Sequence, residues 1–302
     1  MPSRLGPWSI SRRRSWPLAL LCAVQACERF AFLAMLPLFV PYAQERHAMS
    51  VPTALMVVAI LQALSYLAGL PGGWLADRKL GARASTMLGA LLLALSYVLL
   101  AINLSSLFWP ALGLMVLGHS VFRPGLHVLI ARATGNDEHA RERGFLWHYL
   151  AANLGYAAGA LFGEWAHATR GWATLFCGSA VASLLSAGLL GLGLSRLQLD
   201  GSEPDTKGAN LATASQHGNM AAVWLLCSVA VVFWLTTQQA GGSLALFAAM
   251  NTQQHITLSG RAMHLGPGHF AALHGWMVIV MLPVFLHLHG RQQEHRVPTA
   301  SL

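Results

Sequence analysis

Residues Gln25 to Leu36 read QACERFAFLAML, an apolar run broken only by the adjacent charges Glu28 and Arg29. The run continues on both sides, from Trp16 to Val40, so it reads as a membrane helix carrying two ionised groups at depth. Charges there are costly, and they usually face a bundle interior or a wet cavity. On a helix, Gln25, Glu28, Arg29 and Phe32 share one face through i, i+3 and i+4 spacing. That face is expected to point inward, with the other segments packed around it. Two readings stand side by side: a functional face, or an Arg–Glu pair that only locks helices together.

Composition supports the membrane reading. The chain of 302 residues is 55% hydrophobic and 10% charged, against about 25% charge in a soluble domain. Its 29 glycines suit helices that pack closely in lipid. The net charge of +8 does not point to nucleic acid, because Arg and Lys sit in short connections between apolar runs. Cys22, Cys27, Cys177 and Cys227 are scattered through apolar segments without CxxC spacing, which argues against a disulfide framework or a zinc site. The N-terminal SRRRSWPLALLCAVQAC resembles a signal peptide. However, the apolar run passes Cys27 and extends to Val40, longer than a cleaved signal core, so it is expected to stay as a first membrane helix.

A spanning helix needs about 20 apolar residues. Eight segments qualify, near 16–42, 52–76, 84–103, 107–130, 144–163, 172–194, 220–249 and 268–289. The expected division is a basic segment 1–15, a six-helix bundle 16–194, a polar linker 195–219, two further helices 220–290 and a tail 291–302. With the N-terminus inside, the inner segments hold fourteen basic residues, and the outer ones hold only Arg46, Arg170 and Arg261. That asymmetry places both termini in the cytoplasm. The expected location is a bacterial inner membrane.

Arg123 lies midway along the fourth segment in HSVFRPGLH, where Pro124 and Gly125 are expected to break or kink the helix and free backbone groups toward a cavity. Glu28, Arg29 and Arg123 leave one positive charge over, so an anionic ligand such as a carboxylate is expected near Arg123. The competing partners are water, helix dipoles, or an acidic residue near the membrane edge such as Glu164. Between the second and third segments, GGWLADRKLGAR crowds Asp77, Arg78, Lys79 and Arg83 into a tight turn, with Gly73 and Gly81 for close backbone approach.

These residues carry a family resemblance. The turn Gly73-x-x-x-Asp77-Arg78-x-x-Gly81-x-Arg83 resembles the signature loop of the major facilitator superfamily. CERFAFLAM resembles the first-helix Glu-x-x-Glu-Arg-Phe motif of its proton-dependent oligopeptide transporters. FRPGLHVL resembles their fourth-helix Lys-Pro-Asn stretch, HYLAANLG their fifth-helix Tyr-Met-x-x-Asn-Leu-Gly, and FWLTTQQAGGSLALFA their seventh-helix Phe-Glu-Gln-Ala-Gly run. The resemblance implies an all-α membrane protein of two helix bundles that rock about a peptide site near the midplane. It implies that Gln25, Glu28, Arg29 and Phe32 stand at the coupling motif. It also implies that Arg123, Tyr149, Asn153 and Gln238 stand at peptide-site positions, and Gly73, Asp77, Arg78, Gly81 and Arg83 at a cytoplasmic gate.

The departures carry their own chemistry. Gln25 and Gln238 stand where the family has glutamates, Leu36 where it has an arginine, and Arg123 where it has a lysine. Gln cannot titrate and Arg keeps its proton, so proton coupling is expected to be impaired. The apolar segments fill one six-helix bundle and supply two helices of a second. A chain of this composition is expected to cover its inner face by forming homo-oligomers or by pairing with a second chain that supplies further helices. The expected function is transport of di- or tripeptides or similar zwitterions. The alternatives are a non-transporting ligand sensor or scaffold, or a degenerate half-transporter needing a partner. No enzyme motif, metal site or cofactor site is read. His264, His269, His274, His287 and His289 cluster late in the chain, but His287 and His289, two apart, do not share a helical face.

Overall fold

A computed structural model describes residues 12–135, 138–194, 220–238, 243–252, 255–258 and 261–294. The chain is built of helices: α1 (Arg12–Met35), α2 (Phe39–His47), α3 (Val51–Leu67), α4 (Gly69–Leu75), α5 (Gly81–Ile102), α6 (Ser105–Thr134), α7 (Glu138–Arg170), α8 (Trp172–Leu194), α9 (Met220–Gln238), α10 (Ser243–Asn251) and α11 (Pro267–Glu294). The region from Asn251 to Gly268, read from sequence as a loop, also holds a short antiparallel hairpin. Its strands are β1 (His255–Leu258) and β2 (Arg261–His264), with His255 opposite His264.

Trp16–His47, Val51–Ile102, Ser105–Thr134, Trp172–Gly193 and Pro267–Val284 are long and apolar enough to cross a membrane, and Trp224–Phe233 is a shorter apolar run. As one straight helix, Val51–Ile102 would measure about 78 Å, more than two bilayer cores, so it accounts for two segments. The chain turns between them in a π-helical stretch, Ala76–Leu80, ended by Gly81 at φ 74°. A side chain at that angle would clash with its own backbone, which gives Gly81 a conformational reason to be there. α1 gives way to a 3₁₀ turn at Leu36–Leu38, where Pro37 has no N–H to continue the α-helical ladder. The seventh segment resolves into α9 and α10, and the polar stretch expected as a linker lies outside the described residues.

One expectation needs correction. α6 runs unbroken from Ser105 to Thr134 through Pro124. Pro124 cannot donate to the Ser120 carbonyl four residues back. That carbonyl lies against Gly72 of α4, where a Cβ would collide with it. Gly125 packs on the Ser85 and Thr86 hydroxyls of α5. Proline and glycine therefore serve helix packing here and do not break the helix.

The packing is densest between α1 and α7 and between α5 and α6. Gly155, Gly159 and Gly163 recur every four residues on α7 and abut the carbonyls of Ala26, Phe30 and Ala34, which recur every four on α1. No Cβ fits between these backbones, and in lipid such close contact is what drives helix association. Gly89 and Gly118 play the same part between α5 and α6. α11 reaches α7 through Gly268, which packs on Ala160, and Gly275, which packs on Asn153 and Ala157.

Besides a small cluster of Ala160, Ala271 and Ala272 where α7 meets α11, the buried apolar residues fall into two large clusters. One holds Ala31–Ala43 of the first segment, Phe108–Met115 of α6 and Trp172–Ala182 of α8. Within it, Tyr42 meets Trp172 at 5.3 Å and Phe176 at 4.8 Å between ring centroids. The other holds Leu18–Val24 of α1, Phe122–Ala133 of α6 and Leu190 of α8. Between them, on both α1 and α6, lies a short polar interval.

Gly159→Ala should lower the thermal unfolding midpoint in detergent, with an overpacking cost of about 1–3 kcal/mol. Gly113→Ala, where nothing lies within 4 Å of the added carbon, should leave the midpoint nearly unchanged. Equal midpoints for the two variants would count against the α1–α7 contact.

Candidate functional site

The polar interval holds Gln25, Glu28 and Arg29 on α1 and His119, Ser120 and Arg123 on α6. Glu28 is 1% exposed, His119 0% and Gln25 4%. Burial so complete demands compensating charge. Glu28 Oε2 lies 3.1 Å from Arg29 Nε, and Glu28 Oε1 lies 3.0 Å from His119 Nε2. Neither carboxylate oxygen has an aligned hydrogen bond, so the contacts hold by charge and proximity. Phe32, one turn beyond Glu28, sets its ring edge-on to His119 at 4.9 Å.

The sequence reading counted Arg123 with Glu28 and Arg29 as the surplus charge, and it stands in the same polar interval. In the structure its guanidinium lies over the ring of Tyr66 on α3, 4.9 Å from the centroid, and His119 is the second group on Glu28. A cation–π contact contributes about 0.5–2 kcal/mol but does not neutralise charge. Glu164, the acidic alternative for Arg123, is engaged elsewhere. Its Oε2 accepts the Gly268 N–H at 2.8 Å in the first turn of α11, where a carboxylate complements the helix dipole.

The hydrogen-bonding capacity left over is concentrated here. Both Glu28 oxygens, both His119 ring nitrogens, Arg123 Nε and Nη1 and the Tyr97 hydroxyl of α5 are buried atoms without a hydrogen-bond partner. Tyr97 is fully buried, within electrostatic reach of Glu28, Arg29 and Arg123. Buried polar atoms are normally paired, and a local group of exceptions marks a place that a ligand can complete. One carboxylate against two guanidiniums leaves a positive excess, so the group favours an anionic moiety.

The other sequence-chosen residues are only partly gathered. Asn153 is buried on α7, but its Nδ2 donates to its own helix at the Tyr149 carbonyl, 2.9 Å away. The Tyr149 side chain is 45% exposed. The side chains of Gln238 and Asp77 lie outside the described residues. Of the turn residues, Arg78 stacks over Trp74 at 5.6 Å, Gly73 faces the Pro124 ring, which a Cβ there would meet in ordinary van der Waals contact, and Arg83 Nη2 donates to the Gly191 carbonyl of α8 at 3.1 Å. The turn is thereby tied to α6 and α8.

His119 was the functional neighbour the sequence reading missed. Its signal was its place four residues before Arg123, on the same helical face. His127, four residues after Arg123, adds a second ring and meets His148 of α7 edge-on at 5.4 Å. A separate groove of about 470 Å³ between α1, α7 and α11 is lined by Cys22, Trp147, Leu150, Ala151, Leu154, Ile279 and Pro283. Its apolar lining suits lipid acyl chains and lacks the groups that would hold a zwitterion.

Comparison with known proteins gives the fold its context. Residues 18–300 match the model of the Major Facilitator Superfamily. Dipeptide and tripeptide permease A of Yersinia pestis is 27% identical over 188 residues, 62% of this chain and 38% of the relative. The Serratia proteamaculans permease A is 22% identical over 92% of this chain and 64% of its own length. A di-/tripeptide transporter of Lactococcus lactis is 33% identical over 46% of this chain and 29% of its own. In each of these matches the chain spans less than two thirds of the relative. Among solved structures, a bacterial homologue of the human drug peptide transporters PepT1 and PepT2 superposes with TM-score 0.73 at 23% identity, over 91% of this chain and 71% of that one. Tetrameric PepTSo2 gives 0.71 at 24% identity, over 93% and 72%. An all-α, multi-pass membrane protein with this turn, this helix order and this match along nearly its whole length belongs to the Major Facilitator Superfamily, and the relatives named here are its peptide permeases.

Proposed function

We propose that the chain takes part in transmembrane transport of di- and tripeptides or similar small zwitterions, with the solute carboxylate drawn to Arg123. One observation carries this reading. A buried polar group with surplus positive charge and unpaired hydrogen-bonding atoms sits between two apolar clusters at the junction of α1, α5 and α6. Gln25, Glu28, Arg29 and Phe32 line it from α1. Tyr149, Asn153 and Gln238 complete the binding surface in this reading, Asn153 after leaving the bond to its own helix. The Gly73-to-Arg83 turn is the cytoplasmic gate in this reading. Residues 16–194 act as one bundle and 220–290 as part of a second.

Proton coupling is impaired in this reading. Gln25 and Gln238 remove two groups that could titrate. In proteoliposomes, labelled dialanine should enter down its own gradient. An inward proton gradient should raise initial uptake by no more than about twofold, since such coupling needs groups whose protonation changes at the working pH. Glu28→Gln and Arg123→Gln should each lower uptake about tenfold or more, the scale of losing one buried charge contact. Arg123→Lys should retain most of it. Absence of saturable uptake in the parent protein would sink the transport reading.

The α9 side chains Trp224, Leu225, Leu226, Val229 and Phe233 are all more than half exposed. A second copy or another chain covering this face accounts for them together with lipid. Crosslinking in native membranes through a cysteine introduced at Val229 should trap a dimer or a mixed complex. A purely monomeric band would leave lipid as the sole cover.

Both termini lie on the cytoplasmic side of the inner membrane in this reading, supported by fourteen inner basic residues against three outer ones. Reporter fusions at residue 302 should be active only when the reporter works in the cytoplasm. Activity of a periplasm-dependent reporter would reverse the topology.

A further inference from the structure

The site holds one titratable group that neither the family pattern nor the sequence reading assigns. His119 lies at the middle of α6, 0% exposed, with Nε2 3.0 Å from Glu28 Oε1. Nδ1 is buried without a hydrogen-bond partner. The ring is fixed from the side by Phe32. Arg123 follows it by four residues, one turn along the same face. The charged groups acting on it are Glu28 and Arg29 of α1 and Arg123 of its own helix. Tyr97 of α5 is within electrostatic reach of the same three charges, and Tyr66 of α3 lies under the Arg123 guanidinium. α4 brings no ionisable side chain among Gly69–Leu75.

Histidine is the side chain whose charge changes most readily near neutral pH. An ionisable residue inside a membrane bundle is a functional residue by default. Here its charged neighbours pull in opposite directions. Glu28 favours the imidazolium by direct contact. Arg29 and Arg123 oppose it, because the cluster already has more positive than negative charge. The proton on His119 therefore depends on what offsets Arg123.

We propose that His119 is the proton-binding residue of this site, and that its proton is linked to the charge on Arg123. Any group that neutralises Arg123 draws a proton onto His119, and by reciprocity the protonated ring strengthens binding of an anion at Arg123. If the peptide reading above holds, the solute carboxylate is that group. This linkage is the remaining route for a proton effect at a site that has lost the titratable positions Gln25 and Gln238.

The test uses the full chain in lipid nanodiscs with ¹⁵N-labelled histidine. Imidazole ¹⁵N spectra are recorded between about pH 4 and 8, and His119 is assigned by the signal lost in His119→Gln. The ring should pass from neutral to protonated within this window. At pH 6 the ratio of protonated to neutral ring should rise about tenfold in Arg123→Gln and fall in Glu28→Gln, the scale of one neighbouring charge. Arg123→Lys, which keeps the charge, should resemble the parent. A ring that stays neutral throughout the window in the parent protein overturns the proposal without recourse to any variant. Identical titrations in the parent, Arg123→Gln and Glu28→Gln also overturn it. Dialanine is added last. A rise in protonation like that of Arg123→Gln extends the linkage to the peptide. A shift with the variants but none with dialanine supports the proton assignment and counts against the peptide reading alone.

Discussion

A carboxylate removed from water needs its charge answered within a few ångströms, and Glu28 at 1% exposure is such a group. Its two near neighbours, Arg29 and His119, come from two different helices. The requirement therefore fixes how α1 and α6 face each other. Slipping either helix by one turn would carry His119 into an apolar cluster and leave Glu28 facing one partner. Phe32 against the imidazole ring adds a shape constraint to the charge constraint. Breaking such a pair from one side costs about 3–5 kcal/mol, a large part of the stability of any single contact set.

The charge arrangement can exist only because the helices come so close. On α7, Gly155, Gly159 and Gly163 let that helix lie directly on the carbonyls of α1. This presses α1 into the bundle and turns Glu28 away from lipid. On α5, Gly89 does the same for α6 at Gly118. The two glycine contacts flank the polar interval from opposite sides. Above and below it lie the apolar clusters, with Tyr42 and Trp172 at one end and Phe122 and Leu190 toward the other, so the buried carboxylate of Glu28 sits between two apolar layers.

Much of this was legible in the sequence. The apolar runs, the inward face of Gln25, Glu28, Arg29 and Phe32, the turn from Gly73 to Arg83 and the surplus charge at Arg123 all follow from spacing and cost. What did not follow is equally informative. His119 went unrecognised because a lone histidine on an apolar helix carries little signal until a carboxylate from another helix is set against it. Pro124 was expected to break α6, because the rule for proline concerns the lost hydrogen bond. The carbonyl so freed lies against Gly72, a tertiary contact that no local rule contains. Glu164 was weighed as a partner for Arg123, and it serves the α11 terminus instead. Each gap arises from long-range geometry, and each correction is a side chain or carbonyl answered by a distant helix.

Under the family resemblance, which sets Arg123 where the motif has a lysine, the guanidinium has a further consequence for how the proposed site would work. A lysine ammonium at that depth can release its proton and so switch its attraction for an anion on and off. A guanidinium cannot. Its planar donors also lie over Tyr66, which orients the fork while leaving Nε and Nη1 unpaired. On the proposed function, an anion bound there would be held by a constant charge, and its release would come from elsewhere. The groups able to compete for or reinforce that charge are Glu28 by its carboxylate and His119 by its proton, both fully buried and in contact with each other. In the proposed reading, control of the site therefore rests with the acid–imidazole pair beside the cation.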